Sequence, residues 1–155
     1  MSAPQRTAIS ALALSAAGLV AIAQYEGYRG AAYDDGVGVQ TIGFGTTRGV
    51  QKGDRIDPVR ALQRLNADAA IFERQLALCI HVPLYQHEWD AYVSWAYNVG
   101  AAAACKSTLI KKLNRGDYVG ACNELPRWNR AGGRVLPGLV KRRQAEKNTC
   151  LGVSK

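Results

Sequence analysis

The stretch from Asp57 to Cys79, DPVRALQRLNADAAIFERQLALC, constrains the fold more than any other part of this chain. Asp57 is a good helix N-cap, and Pro58 suits the first helical position, where a missing N–H costs nothing. Leu62, Leu65, Ala69, Phe72, Leu76 and Cys79 then recur at steps of three and four. That is one apolar stripe on one helix face, and its simplest meaning is core. The remaining residues must therefore supply something to cover it. A chain of 155 residues can do so as one domain.

Further helices follow. PLYQHEWDAYVSWAYNVG reads as one opened by Pro83 and closed by Gly100, with Trp89, Val93 and Ala96 on its buried face. STLIKKLNRGD is a third, capped by Ser107. GDYVGACNELPRW is a short fourth, capped by Asp117 and stopped by Pro126. LPGLVKRRQAEKNTCLG is the last, with Pro137 near its start.

Upstream the pattern is different. Residues 24–46, QYEGYRGAAYDDGVGVQTIGFGT, hold three carboxylates and six glycines. DDG signals a tight turn, and VGVQTIGFG alternates as a strand does, with Val37, Val39 and Thr41 on one side. Its glycines suit a small irregular sheet that another part of the chain approaches closely. The expected class is α+β, mostly α: a helix, a small sheet, then a helical lobe. The expected divisions are an N-terminal extension over 1–14, a β-rich lobe over 26–56 and a helical lobe over 57–155.

Before that segment lies an uncharged run from Thr7 to Tyr25. Arg6 ahead of it and AIA at 21–23 fit a cleaved signal peptide. The length is near that of a transmembrane helix, but the run is rich in Ala, Ser and Gly and would insert weakly. The third reading, which we favour, is a helix packed on the core. Ser15 caps it, Leu19, Ile22 and Tyr25 recur along it, and it runs into Glu26. A reversible membrane anchor over residues 8–25 is the competing expectation.

The formal net charge is +8, which attracts polyanions: nucleic acid, anionic membrane or an acidic wall polymer. No nucleic-acid-binding motif accompanies the charge, so that partner is not expected. The four cysteines, at 79, 105, 122 and 150, contain no C-x-x-C pair, which argues against a zinc ribbon or a thioredoxin-like site. They allow three disulfide pairings. Pairing neighbours closes the shortest loops, each adding about 3–4 kcal/mol in the chain-entropy model. Disulfides would place the protein in an oxidising compartment such as a periplasm.

Most site chemistries can be struck out. HEWDA at 87–91 lacks the second His of H-E-x-x-H, and GFGTTR lacks the last Gly of a dinucleotide loop. Cys79, His81 and His87 have no supporting acidic pattern for a metal. What survives is a pair of carboxylates. Glycoside hydrolysis needs one acid to protonate the leaving oxygen and a second carboxylate to activate water or stabilise positive charge. Their surroundings must differ, so that one keeps its proton and the other does not. Glu26 ends an apolar helix beside Tyr25 and Tyr28, whereas Asp35 lies in a polar glycine-rich turn. Thr41, on the returning strand, is placed to hold a water.

YEGYRGAAYDDGVGVQTIGFGTT resembles the active-site signature of the phage-type lysozymes, the endolysins of glycoside hydrolase family 24. The family pattern of Glu, eight residues, Asp, five residues, Thr falls on Glu26, Asp35 and Thr41 without a gap. The likeness continues through TIGFG, SWAYNVG, STLIKKLNRGDYVGAC, LPRW and PGLVKRRQAE, over about residues 15–152.

The resemblance implies a lysozyme-like fold with a cleft between a small N-terminal lobe and a helical lobe. It implies a muramidase cutting the β-1,4 bond between N-acetylmuramic acid and N-acetylglucosamine, with inversion and without cofactor or metal. Glu26 would be the acid, Asp35 the base or stabiliser, and Thr41 the residue holding water. Tyr97, Asn98, Ser107 and Thr108 align with substrate-facing positions, and Arg142 or Arg143 would pair with Glu26. The expected partner is peptidoglycan, met by a monomer in the host periplasm. Some such endolysins carry a signal-anchor-release segment, and residues 8–25 resemble it in composition. If they lie in a bilayer, Glu26 is held at the membrane surface until release. The alternative reading is an inactive basic wall-binding module.

Overall fold

The computed structural model describes residues 2–153. Helix α2, Pro58–Ala77, is the spine, with the Asp57 carboxylate accepting the Arg60 N–H at its cap. Ala61, Leu65, Ala69 and Leu76 are its buried residues, while Leu62, Phe72 and Cys79 are only half buried. The stripe is thus rotated slightly from its predicted line, because α2 is covered by the small lobe at one end and the large lobe at the other.

Ser15 caps α1, Ala16–Glu26, accepting from Gly18 N–H. Strands β1, Arg29–Asp34, and β2, Gln40–Gly43, form an antiparallel hairpin in which Tyr33 faces Thr41. The predicted strand alternation fails at its start. Val37 and Val39 are exposed turn residues, because their amides serve Asp35 rather than a ladder. Gly43 meets α2 at close range: a Cβ placed there would stand 3.0 Å from the Ala61 Cβ.

The large lobe is built around α3, Gln86–Val99, whose residues from Glu88 to Ala96 are all buried. Two of its predicted features need correction. It starts at Gln86 rather than Pro83, and it has no single buried face, because other elements surround it. Four more helices complete the lobe: α4 (Ala101–Lys106), α5 (Thr108–Asn114), α6 (Tyr118–Glu124) and α7 (Pro137–Cys150). Helix α4 and the hairpin of β3 (Arg130–Ala131) with β4 (Arg134–Val135) were not foreseen. Trp89, Trp95, Tyr92, Leu109 and Leu113 fill the core. Disulfides join Cys79 to Cys105 and Cys122 to Cys150, the neighbour pairing. The architecture is α+β and mostly helical, as expected.

The residues before α1 are not a loose tail. Thr7 and Leu84 exchange backbone hydrogen bonds of 2.8 and 2.9 Å. Arg6 grips Glu88 through two bonds, 2.8 and 3.1 Å, and lies between the rings of Tyr85 and Tyr118. Ser15 N–H donates to Asp90 at 3.0 Å, and Gln86 donates to Ala13 C=O at 2.7 Å. This strap ties the start of α1 to the start of α3. Among the described residues no helix is long and apolar enough to cross a membrane.

Candidate active site

Glu26 is the last residue of α1, and Gly27 after it takes φ +71°, which turns the chain sharply into the hairpin. A side chain at that φ would be strained, so the turn that presents Glu26 depends on glycine. Glu26 Oε1 accepts from Arg142 Nη1 at 3.1 Å. Of the two candidate arginines, Arg142 is therefore the partner. Its guanidinium also lies 4.6 Å from the centre of the Tyr25 ring, which holds it from the α1 side.

Glu26 opens onto a cleft of about 430 Å³ between the lobes. Gly45, Thr47 and Arg48 form one wall, α2 contributes Asp68, Ile71 and Phe72, and α3 contributes Tyr97 and Asn98. Ile42 and Thr46 exchange backbone hydrogen bonds of 2.9 and 3.0 Å, closing the loop that brings Gly45 beside Glu26. Thr46 also donates to Asp68 at 2.7 Å, pinning that loop to α2. The Phe72 and Tyr97 rings are 5.1 Å apart and make an aromatic floor. Burial first, then the negative charges of Glu26 and Asp68, push the Tyr97 phenol well above the usual tyrosine range. Tyr97 is thus a hydrogen-bond donor, not a base, at any pH near neutral.

Asp35 sits at the exposed hairpin tip. Its Oδ1 accepts from Val37 N–H at 3.0 Å and Val39 N–H at 3.1 Å. Asp34 does the same for Gly36 and Gly38, at 2.8 and 3.1 Å. Thr41 is buried, with its hydroxyl 3.4 Å from Val39 C=O. The fold thus brings Glu26, Tyr97 and Asn98 into one cleft and places Asp35 and Thr41 together on the hairpin beyond its lining. Ser107 and Thr108 are elsewhere. The Ser107 hydroxyl accepts from Ile110 N–H and donates to Ala104 C=O, both bonds of a helix cap, while Thr108 is exposed at the start of α5.

Sequence reasoning missed Arg48, Asp68 and Phe72 as cleft residues: Arg48 is an exposed residue of the loop before α2, and nothing in the pattern of α2 sets Asp68 and Phe72 apart from its other half-buried positions. It also missed Glu146, which binds both Arg142 and Arg143, although R-R-x-x-E has helical ion-pair spacing.

The profile of the Phage lysozyme family matches residues 23–146, from just before Glu26 to Glu146. The chain belongs to the phage lysozyme family. It is therefore a glycoside hydrolase of the endolysin kind, acting on peptidoglycan in phage-driven lysis. An endolysin of Acyrthosiphon pisum secondary endosymbiont phage 1 is 46% identical over 138 residues, covering 86% of this chain and 94% of that one. A SAR-endolysin of Pseudomonas phage phiKMV is 41% identical over 155 residues, covering 97% and 93%. The solved endolysin from Escherichia coli O157:H7 phage FAHEc1 superposes with a TM-score of 0.84 at 37% identity, covering 94% of this enzyme and 98% of that chain.

Proposed function

We propose that the enzyme hydrolyses the β-1,4 bond between N-acetylmuramic acid and N-acetylglucosamine, with Glu26 as general acid. The observation that carries this is a half-buried carboxyl at a helix end, opening on a cleft flanked by both lobes. Glu26 gives its proton to the leaving glycosidic oxygen. The carboxylate so formed is met by Arg142, already 3.1 Å away. Asp35 acts as base or electrostatic stabiliser. Two backbone amides hold its Oδ1 and leave Oδ2 to receive a proton from water. Thr41 orients that water, and the sugar inverts at the anomeric carbon. Tyr97 and Asn98 contact the glycan in the cleft. The enzyme acts as a monomer.

The test is turbidity loss of outer-membrane-permeabilised Gram-negative cells, wild type against Glu26→Gln. The substitution keeps the size and removes the proton donor. Lysis by the wild type alone supports the assignment, and equal lysis by both removes Glu26 from the mechanism. A folded wild type that binds walls without lysing them would favour the inactive binding module.

The SAR-endolysin name of the phiKMV relative and the uncharged composition of residues 8–25 support a second element. The segment first lies in the inner membrane and later leaves it, so that α1 seats Glu26 only after release, in the periplasm. Fractionation of expressing cells decides this. An intact chain that never enters the membrane pellet would reject it.

A further inference from the structure

Glu146 lies on α7, away from the cleft lining, yet it is one of the best-connected carboxylates in the molecule. It is almost wholly buried. Its Oε1 accepts from Ser94 Oγ at 2.7 Å and from Arg142 Nε at 3.0 Å, and its Oε2 accepts from Arg143 Nη1. Arg142 reaches on to Glu26 and to Ser94 C=O, the latter at 2.9 Å. Arg143, with no exposed surface, reaches on to Asn98 Oδ1 and, at 2.9 Å, to Trp128 C=O. One buried carboxylate thus holds two arginines, and each arginine holds a residue of the cleft.

The charges balance only while Glu26 is ionised: Arg142 and Arg143 against Glu26 and Glu146. A general acid must spend part of its cycle protonated. With Glu26 as its only anionic partner, the buried Arg142 would be left unpaired whenever that proton is in place. We propose that Glu146 is a positioning residue that supplies the second anion, so that Glu26 can carry its proton while Arg142 stays paired and in place. This rests on the reading of Glu26 as the acid. After proton transfer, Arg142 is shared by two carboxylates and stabilises the one newly formed.

The groups facing this cluster from other elements are Tyr25 on α1, Asp68 on α2, Asp90 and Tyr97 on α3, and Arg48 in the loop before α2. Arg48 and Asp68 lie 3.7 Å apart and offset one another. Burial pulls Arg143 below the ordinary arginine range, and Glu146 opposes that shift, as expected of its counter-ion.

The test is the pH dependence of initial hydrolysis rate on purified peptidoglycan, at fixed ionic strength and from about pH 4 to 9. Activity is lost on the basic side as Glu26 gives up its proton. Glu146→Gln removes a negative charge, so that limb should move to lower pH, by about one unit, since both carboxylates bond the same guanidinium. Arg143→Met removes a positive charge, and the limb should move to higher pH. The double variant restores the balance of charge and should lie between them. A scaffold role alone would lower rates without moving the limbs in opposite directions. If Glu146→Gln does not fold, the direction of the Arg143→Met shift decides. Superimposed limbs in folded variants, or shifts of the same sign, overturn the proposal. Glu26→Gln runs alongside. If it keeps the wild-type rate, the reading of Glu26 falls and takes this with it; if it is inactive while the limbs superimpose, only the role of Glu146 falls.

Discussion

Replacing Arg6 with alanine should destabilise the enzyme far more than a change so near the N-terminus ordinarily would. Arg6 is about one-quarter exposed, but the Glu88 carboxylate that it grips is 3% exposed. Surface ion pairs contribute about 0–1 kcal/mol, whereas removing one partner of a buried pair costs about 3–5 kcal/mol, since a charge is left uncompensated. Glu88 would keep its bond from Tyr85 N–H, at 2.8 Å, and water could enter where Arg6 had been. Those effects favour the lower end. Arg6 also gives up its stacking on Tyr85 and Tyr118, at 4.3 and 3.4 Å. We expect a loss of about 3 kcal/mol, which for a chain of this size lowers Tm by about 6–12 °C. Urea unfolding followed by tryptophan fluorescence measures it. Arg6→Lys should recover part of the loss, because charge returns without the two-pronged fork. In a double-mutant cycle, Glu88→Gln should cost little once Arg6 is gone. A loss under about 0.5 kcal/mol for Arg6→Ala, or additive single effects, would refute the view that this contact holds the strap.

Two other outcomes follow from the packing of α1 and α3. Gly18→Ala improves helix propensity by about 1 kcal/mol, yet its Cβ would stand 2.7 Å from Leu14 Cδ1 and 2.9 Å from Asp90 Cγ. Asp90 is tied to Ser15 and Gln86, so the variant should be less stable by about 1–3 kcal/mol, and a rise in Tm would show that α1 can move away freely. Burial raises the phenols of Tyr92 and Tyr97 above the ordinary tyrosine range. A raised folded-state value contributes stability that is complete below the unfolded tyrosine value, about 10, and is lost as pH rises beyond it. Urea midpoints should therefore fall above about pH 10, and less steeply in Tyr92→Phe or Tyr97→Phe; unchanged slopes would contradict this.

What could be read from the sequence was mostly local. Asp57 and Pro58 announce α2, Ser15 announces α1, and Ser107 and Asp117 announce α5 and α6, because each cap is settled by atoms a few residues away. Glu26 was legible for a similar reason, since it ends a helix and opens a recognisable spacing. The hidden parts depend on distant partners. Helix α3 buries Glu88, Asp90 and Ser94 because Arg6, Ser15 and Glu146 answer them from 82, 75 and 52 residues away. Read alone, those side chains mark a wet face. Val37 and Val39 misled in the opposite sense: their alternation mimics a strand, while their amides hold Asp35. Helix α4, Ala101–Lys106, offers almost no contrast between faces, so periodicity could not reveal it.

The docking site of Arg6 is assembled from Tyr85, Glu88 and Tyr118, and the ion pair of Glu26 waits for Arg142. Because a ribosome makes the chain from its N-terminus, the strap has nowhere to dock until most of the polypeptide exists. Glu26 gains its arginine only near the end of synthesis. A prematurely terminated chain ending before α7 would lack Arg142 and Glu146 together, and the Glu26 carboxylate would face the cleft without either of them.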